Sequence, residues 1–144
     1  MKFVHYTDNS NFILKPIIIK NTTWVKPEGG LWCSPINSTH SWKDWCISEE
    51  FGDIDSSYKI VLDVDMKHSL TINSYKDMLK LSWIEKRSID FVSMIQQGID
   101  CVFLTANGER QTKYTVDTTL YGWDCESIVI LNDKCIKNYK LLKE

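Results

Sequence analysis

Short apolar stretches, several of them alternating with polar residues, recur along this chain between turn-forming residues. Alternation with a period of two is typical of half-buried strands, and short continuous apolar runs fit fully buried ones. The pattern predicts strands at residues 2–6, 31–34, 58–64, 69–72, 99–104, 111–116, 125–131 and 135–142. A chain with so many short strands is expected to build its core around a sheet.

Small helices are predicted between these strands. A Ser or Thr at position 38, 39 or 41 can cap a helix in which Trp42, Trp45 and Cys46 share one face. Further helices are predicted at residues 11–14, at 75–81 with an extension through 83–87, and at 89–97, the last capped by Ser88 and ended by Gly98. Residues 106–108 favour a turn, with Glu109 and Arg110 flanking a hairpin. The elements together predict an α+β fold with a mainly antiparallel core, in one domain over residues 1–144.

Composition narrows the class of protein. The chain is 43% hydrophobic and 25% charged, and no apolar run approaches the length of a membrane span. The first residues lead directly into a strand pattern, which argues against a signal peptide. Five scattered cysteines without metal spacing argue against zinc and against disulfides, so we expect a cytoplasmic protein that binds neither metal nor membrane. The net charge of -2 gives no sign of a basic stripe.

Tryptophan is unusually frequent, with six in 144 residues. Trp32, Trp42 and Trp45 lie close together in the sequence. Such a group forms either an aromatic core or a stacking surface for a ligand. His40 and His68 lie in polar segments without a carboxylate or thiol at metal spacing, so neither is predicted to belong to a site.

Three separated stretches of the sequence resemble the motifs of one protein family. They are residues 3–7 (FVHYT) followed by 9–14 (NSNFIL), residues 30–35 (GLWCSP) followed by 41–46 (SWKDWC), and residues 124–130 (DCESIVI) followed by 136–142 (IKNYKLL). In this order they resemble the ADP-ribosyltransferase superfamily of diphtheria-type toxins and poly(ADP-ribose) polymerases. The resemblance covers most of the chain and implies a split β-core that binds NAD as a substrate.

The resemblance also implies roles for residues of the first two stretches. His5 would donate a hydrogen bond to the adenosine-side ribose of NAD, and the backbone around Tyr6 and Thr7 would contact the nicotinamide amide. Trp42 or Trp45 would stack on the nicotinamide ring, where the polymerase branch has Tyr. Ser34 corresponds to a serine of the toxin branch, although the arginine of that branch has no counterpart here.

In the third stretch Glu126 matches the catalytic glutamate. Cleavage of the nicotinamide–ribose bond places positive charge on the ribose, and a nearby carboxylate stabilises that charge. Asp124 lies two residues earlier, so on a strand it would share a face with Glu126 and contact the acceptor. Read from the residues alone, the two carboxylates are equally compatible with the polar face of a half-buried strand.

The sequence is compatible with two classes of acceptor. The loop before Glu126 contains Tyr121 and Trp123, which the resemblance places near a macromolecular acceptor, either nucleic acid or protein. Stacking on an exposed base favours nucleic acid. The expected activity is mono-ADP-ribosyl transfer, in a toxin or phage effector with an antitoxin as partner. The alternatives are an RNA 2'-phosphotransferase of the same fold and a catalytically inactive module that only binds or inhibits.

Overall fold

The computed structural model describes residues 1–142 and is built around a single large sheet. The strands are β1 (Lys2–Thr7), β2 (Leu31–Pro35), β3 (Tyr58–Val64), β4 (Ser69–Ile72), β5 (Trp83–Glu85), β6 (Ser88–Ile89), β7 (Cys101–Leu104), β8 (Ser127–Ile130) and β9 (Ile136–Leu141). The helices are α1 (Trp42–Ser48), α2 (Tyr75–Met78), α3 (Phe91–Gln96) and α4 (Ala106–Thr112), with 3-10 turns at Ile54–Ser56 and Asp133–Cys135. The predicted α+β class is confirmed.

Seven strands form the sheet, in the order β4-β7-β8-β2-β1-β3-β9, and β5 and β6 make a separate hairpin. The β4–β7 pair is parallel and the remaining pairs are antiparallel. Alternation along the inner strand β8 separates two cores: Ile128 and Ile130 pack with Phe3 in one, and Val129 packs with Trp123 in the other. The sheet therefore buries apolar side chains on both faces.

The border between β1 and β2 differs from its neighbours. β1 pairs with β3 over six residues, whereas it pairs with β2 only at Phe3↔Pro35 and Val4↔Ser34. On its other side β2 pairs with β8 over Leu31–Cys33. Beyond Val4 the first strand continues without a β2 partner, so a gap opens inside the sheet.

Helix α1 is fixed against β2 by its N-terminal end. Ser41 is the N-cap, and its hydroxyl accepts a hydrogen bond from the Asp44 amide at 3.2 Å while Asp44 accepts one from the Ser41 amide at 2.8 Å. The Asp44 carboxylate accepts hydrogen bonds from both the amide and the hydroxyl of Ser41, and these two bonds lower the pKa of Asp44. The Ser34 hydroxyl on β2 accepts a further hydrogen bond, at 2.9 Å, from the Trp42 amide. Of the three predicted caps, position 41 is the one used.

One predicted helix and the extension of another are wrong. Residues 11–14 form no helix, because the Asn9 side chain accepts a hydrogen bond from the Asn11 amide in a turn and four residues are too few to nucleate a helix without support. The extension of α2 is instead strand β5, since the Trp83 indole donates to the Met78 carbonyl at 3.0 Å, where α2 ends. The cap of α3 is Asp90, while Ser88 lies on β6.

The predicted turn at residues 106–108 and strand at residues 111–116 are also wrong, because helix α4 covers most of this region. Thr105 caps it by accepting from the Gly108 amide at 3.0 Å. A Cβ on Gly108 would lie 2.0 Å from the Ile72 carbonyl oxygen, so this glycine allows α4 to pack directly on β4. The Asn-Gly pair, usually a hairpin signal, here serves close packing. Over residues 1–142, no helix has both the length and the apolar character that crossing a bilayer demands.

Candidate active site

A cavity of about 300 Å³ lies where β1 and β2 separate. Most of its lining comes from the two unpaired strand ends, from the start of α1 and from the segment that leads into β8. The lining residues are Val4, His5, Tyr6, Lys26, Trp32, Cys33, Ser34, Trp42, Trp123, Asp124, Cys125 and Ser127. Its volume lies at the lower end of the range found for small-molecule sites, and it combines apolar walls with a few polar groups.

Three indoles line this cavity. Trp32 and Trp123 meet edge to face with ring centroids 4.8 Å apart, and the Trp123 indole donates to the Val25 carbonyl at 2.9 Å. Trp42 lines the cavity from α1, with Trp45 stacked on it at 5.0 Å and an interplanar angle of 13°. Of the two candidate stacking residues, Trp42 is therefore the one that faces the cavity, and Trp45 supports it from behind.

Trp123 is 1% exposed, so its indole is closed off from a macromolecular surface. This differs from the expected contact with an acceptor: Trp123 belongs to the core and to the cavity wall. Tyr121 is 57% exposed and lies outside the cavity lining, which leaves it available to a large partner.

His5 occupies the gap between the two strands. Its ring Nδ1 lies 2.8 Å from the Trp32 carbonyl oxygen, and burial lowers the pKa of the imidazole, partly offset by that hydrogen bond. A carbonyl oxygen only accepts, so Nδ1 carries the hydrogen and the neutral ring offers Nε2 as an acceptor. A ribose hydroxyl at this position would donate to His5, which reverses the direction expected from the sequence.

Asp124 and Glu126, expected on one strand face, lie in different surroundings. Asp124 is half-buried and lines the cavity, and among residues 1–142 its carboxylate has no hydrogen-bonding or ion-pair partner. Glu126 lies outside the lining: its carboxylate accepts a hydrogen bond from the Ala106 amide at 3.1 Å, and its own amide donates to the His40 carbonyl at 2.8 Å. The expectation fails because β8 begins only at Ser127, so the alternation of strand faces does not extend to Asp124.

The other residues named from the sequence also differ in whether they are placed to contact a ligand in the cavity. Tyr6 lines the cavity, and burial raises the pKa of its phenol. Thr7 lies outside the lining, and its hydroxyl accepts from the Asn9 amide. Ser34 is 1% exposed, and its hydroxyl is already bound to the Trp42 amide, so it positions α1 more than it faces a ligand.

Sequence reasoning missed several lining residues. The Lys26 ammonium lies 5.5 Å from the ring centroids of both Trp24 and Trp32, and this cation lines the cavity. Cys125 is buried in the wall, which raises its pKa to about 12, so the thiol stays protonated and is a poor nucleophile. The Lys-Pro-Glu-Gly-Gly sequence marked a turn at Lys26, but nothing in it indicated the contact with Trp32.

A buried ion cluster lies close to this wall. Glu109 is 4% exposed on α4, with its carboxylate oxygens 3.4 Å from His40 Nε2 and 3.4 Å from Lys113 Nζ. The expectation that Glu109 flanks a hairpin is wrong, because it lies within α4, which brings it close to His40 from a distant part of the chain. Residues 1–142 contain no group of three or more His, Cys, Asp or Glu side chains that could hold a metal ion.

Comparisons with protein-family models, curated proteins and solved structures found no match to this chain. The function therefore has to be argued from the geometry of the cavity.

Proposed function

We propose that this protein is a mono-ADP-ribosyltransferase that binds NAD in the gap between β1 and β2 and cleaves its nicotinamide–ribose bond. The observation that supports it best is the meeting of an imidazole, an indole and a carboxylate without a partner in one cavity, from His5, Trp42 and Asp124. The first two match the ordered motifs of the resemblance. The incomplete pairing of β1 with β2 agrees with the split core that the resemblance implies.

The cavity suits the nicotinamide half of NAD. In this proposal the nicotinamide ring stacks on Trp42, since offset stacking of flat rings is favourable. The His5 Nε2 accepts from a hydroxyl of the adenosine-side ribose. Lys26 attracts the diphosphate that joins the two halves, because it is the cation among the lining residues. The adenosine then extends through the mouth of the cavity, because a volume of about 300 Å³ is small for a whole dinucleotide.

The acceptor would approach over an exposed aromatic surface, defined here as Trp24, Tyr114 and Tyr121 with Lys26 and Lys113. Tyr114 and Tyr121 lie 6.1 Å apart, and the Trp24 ring packs against Gly122. Lys113 lies 5.8 Å from the Tyr114 ring centroid, and Lys26 connects Trp24 to the cavity. Rings interleaved with lysines suit stacked bases and phosphates, which favours single-stranded nucleic acid over protein as the acceptor.

A direct experiment combines NAD binding with label transfer. Calorimetry would measure NAD affinity, and adenine-labelled NAD would be incubated separately with RNA, single-stranded DNA and a protein pool. We expect binding, slow nicotinamide release and label in a nucleic-acid pool. Label in the protein pool alone would overturn the acceptor assignment. Absence of NAD binding together with absence of label in every pool would overturn the proposed function.

The alternatives are separated by simple observations. An RNA 2'-phosphotransferase would need several cationic side chains around a phosphate, whereas the lining residues of this cavity include a single lysine, Lys26, and no arginine. An inactive binding module would bind NAD or the acceptor without releasing nicotinamide. A cytoplasmic role as toxin or phage effector, with an antitoxin partner, stays a prediction of the resemblance.

A further inference from the structure

We infer that Asp124, and not the motif-matched Glu126, is the carboxylate that stabilises the reacting ribose. This inference rests on the proposed cleavage of NAD. It reassigns the acceptor-contact residue of the third motif as the catalytic one, and it makes Glu126 a positioning residue.

The side chains of Asp124 and Glu126 point in different directions relative to the cavity. Along β8 the side chains of Ser127 and Val129 lie on the face that contains the cavity and the core around Trp123, whereas Ile128 lies on the other face. Glu126 precedes the first residue of β8 and is absent from the cavity lining. Asp124 belongs to the loop before the strand, after the left-handed Gly122 (φ 111°), and this loop directs it into the cavity.

The two carboxylates also differ in their hydrogen bonds. The Glu126 carboxylate already accepts the Ala106 amide hydrogen at 3.1 Å, and the Glu126 amide ties the start of β8 to residue 40. Asp124 is half-buried, has no such partner within residues 1–142, and has Lys113 close enough for electrostatic interaction. A half-buried carboxylate without a hydrogen bond gains most when positive charge develops beside it, because that charge replaces lost hydration.

Asp124 would assist the cleavage of the nicotinamide–ribose bond of NAD. The bond between the anomeric carbon of the ribose and the nicotinamide ring nitrogen breaks, and its electron pair leaves with neutral nicotinamide. The positive charge moves to the ribose, where the Asp124 carboxylate stabilises it and accepts a ribose hydroxyl hydrogen bond. A new bond forms from the anomeric carbon to an oxygen of water or of the acceptor, which releases one proton to solvent.

The test compares matched variants of the full chain. Asp124→Asn and Glu126→Gln each remove one charge at nearly constant shape, and Asp117→Asn does so on the surface, at a residue 72% exposed. Nicotinamide release, NAD affinity by calorimetry and the Tm of each variant would be measured. We expect Asp124→Asn to lower kcat about 100-fold or more with NAD affinity within about fivefold. Glu126→Gln should stay within about fivefold of wild type in kcat, because Gln still accepts the Ala106 hydrogen bond.

Chemical rescue separates catalysis from folding. In Asp124→Ala, added formate can occupy the vacated space and supply a carboxylate, so we expect it to restore part of the nicotinamide release, whereas chloride should not. A loss of more than tenfold in Glu126→Gln at wild-type Tm, or an Asp124→Asn variant as active as Asp117→Asn, would overturn the inference while leaving the proposed function intact. Wild-type protein that neither binds nor cleaves NAD would instead remove the proposed function on which it rests.

Discussion

The two edges of β2 differ in how completely they pair with the neighbouring strands. Its pairing with β8 is continuous over Leu31–Cys33, and the four residues of β8 are buried. Its pairing with β1 stops after two residues, and the unpaired ends line a cavity. There the Trp32 carbonyl accepts a hydrogen bond from the His5 ring instead of from a backbone amide of β1. A strand edge that gives up backbone pairing can offer polar groups to a ligand, while the paired edge keeps the sheet stable.

Truncating the core that packs beside the β2–β8 pair should cost the most, and Trp123 belongs to that core as well as to the cavity wall. Trp123→Ala removes an indole that is 1% exposed and leaves its volume empty, so we expect the free energy of unfolding to fall by about 3–5 kcal/mol. Urea unfolding followed by circular dichroism would measure this. Trp24→Ala, at a residue 45% exposed, is the matched control and should cost far less. Equal losses in the two variants would mean that Trp123 is not the core residue described here.

Truncating the open side should affect the ligand more than the fold. We expect Trp42→Ala to weaken NAD binding about tenfold, or about 1.4 kcal/mol, because the stacking face is lost. Trp45→Ala keeps that face and removes only its support, so its effect on affinity should be smaller. Calorimetric titration of both variants tests this order, and a reversed order would assign the stacking role to Trp45.

Glu126 offers a test at the boundary of the two sides. Glu126→Ala leaves the Ala106 amide without its acceptor, and we expect a loss of about 1 kcal/mol in the free energy of unfolding. Glu126→Gln should be close to wild type in the same urea titration. Equal destabilisation by both substitutions would show that the charge, and not the hydrogen bond, fixes the start of β8.

The smallest effect should be that of pH on His5. Its pKa lies below the ordinary value of 6.5, so the ring should stay neutral and NAD affinity should stay flat from pH 8 to pH 6.5. As the pH falls further towards the lowered pKa, Nε2 gains a hydrogen and stops accepting, and affinity should decline. Below pH 6.5 the unfolded chain also binds more protons at this position than the folded one, so stability should decline in the same direction.

His5→Gln is the control for this pH effect, because Gln does not titrate. Its affinity for NAD should be lower than that of wild type at pH 7.5 and should lack the decline below pH 6.5. Calorimetry at pH 7.5 and pH 5.5 would measure both. A decline of the same size in the variant would assign the pH dependence to another group.

Local pattern predicted much of the fold. β3 and β4 have the predicted bounds because each mixes apolar and polar residues in the way expected of a strand, and the Ser41 cap defines α1. The failures lie where tertiary contacts override local preference. Gly108 packs against the Ile72 carbonyl, and the Trp83 indole binds the last carbonyl of α2. Neither contact leaves a trace in the pattern of its own segment.

The site was predictable to a similar extent. His5 and Trp42 follow from their motifs, and Asp124 was named in another role. Lys26 was missed, and Trp32 was named only within the aromatic group, because their meeting depends on how a long irregular segment returns to the sheet. The different surroundings of Asp124 and Glu126 were missed because β8 begins at Ser127, two residues after the predicted start, so Asp124 lies in the preceding loop.

A crystal structure of the Asp124→Asn variant with NAD would decide whether the unpaired border of β2 is the NAD site. The expected result is nicotinamide stacked on Trp42, with its ribose against position 124 and a ribose hydroxyl on His5. NAD bound elsewhere, for example in the groove lined by Lys43, Tyr58 and Leu141, or a site that stays empty at saturating NAD, would contradict it.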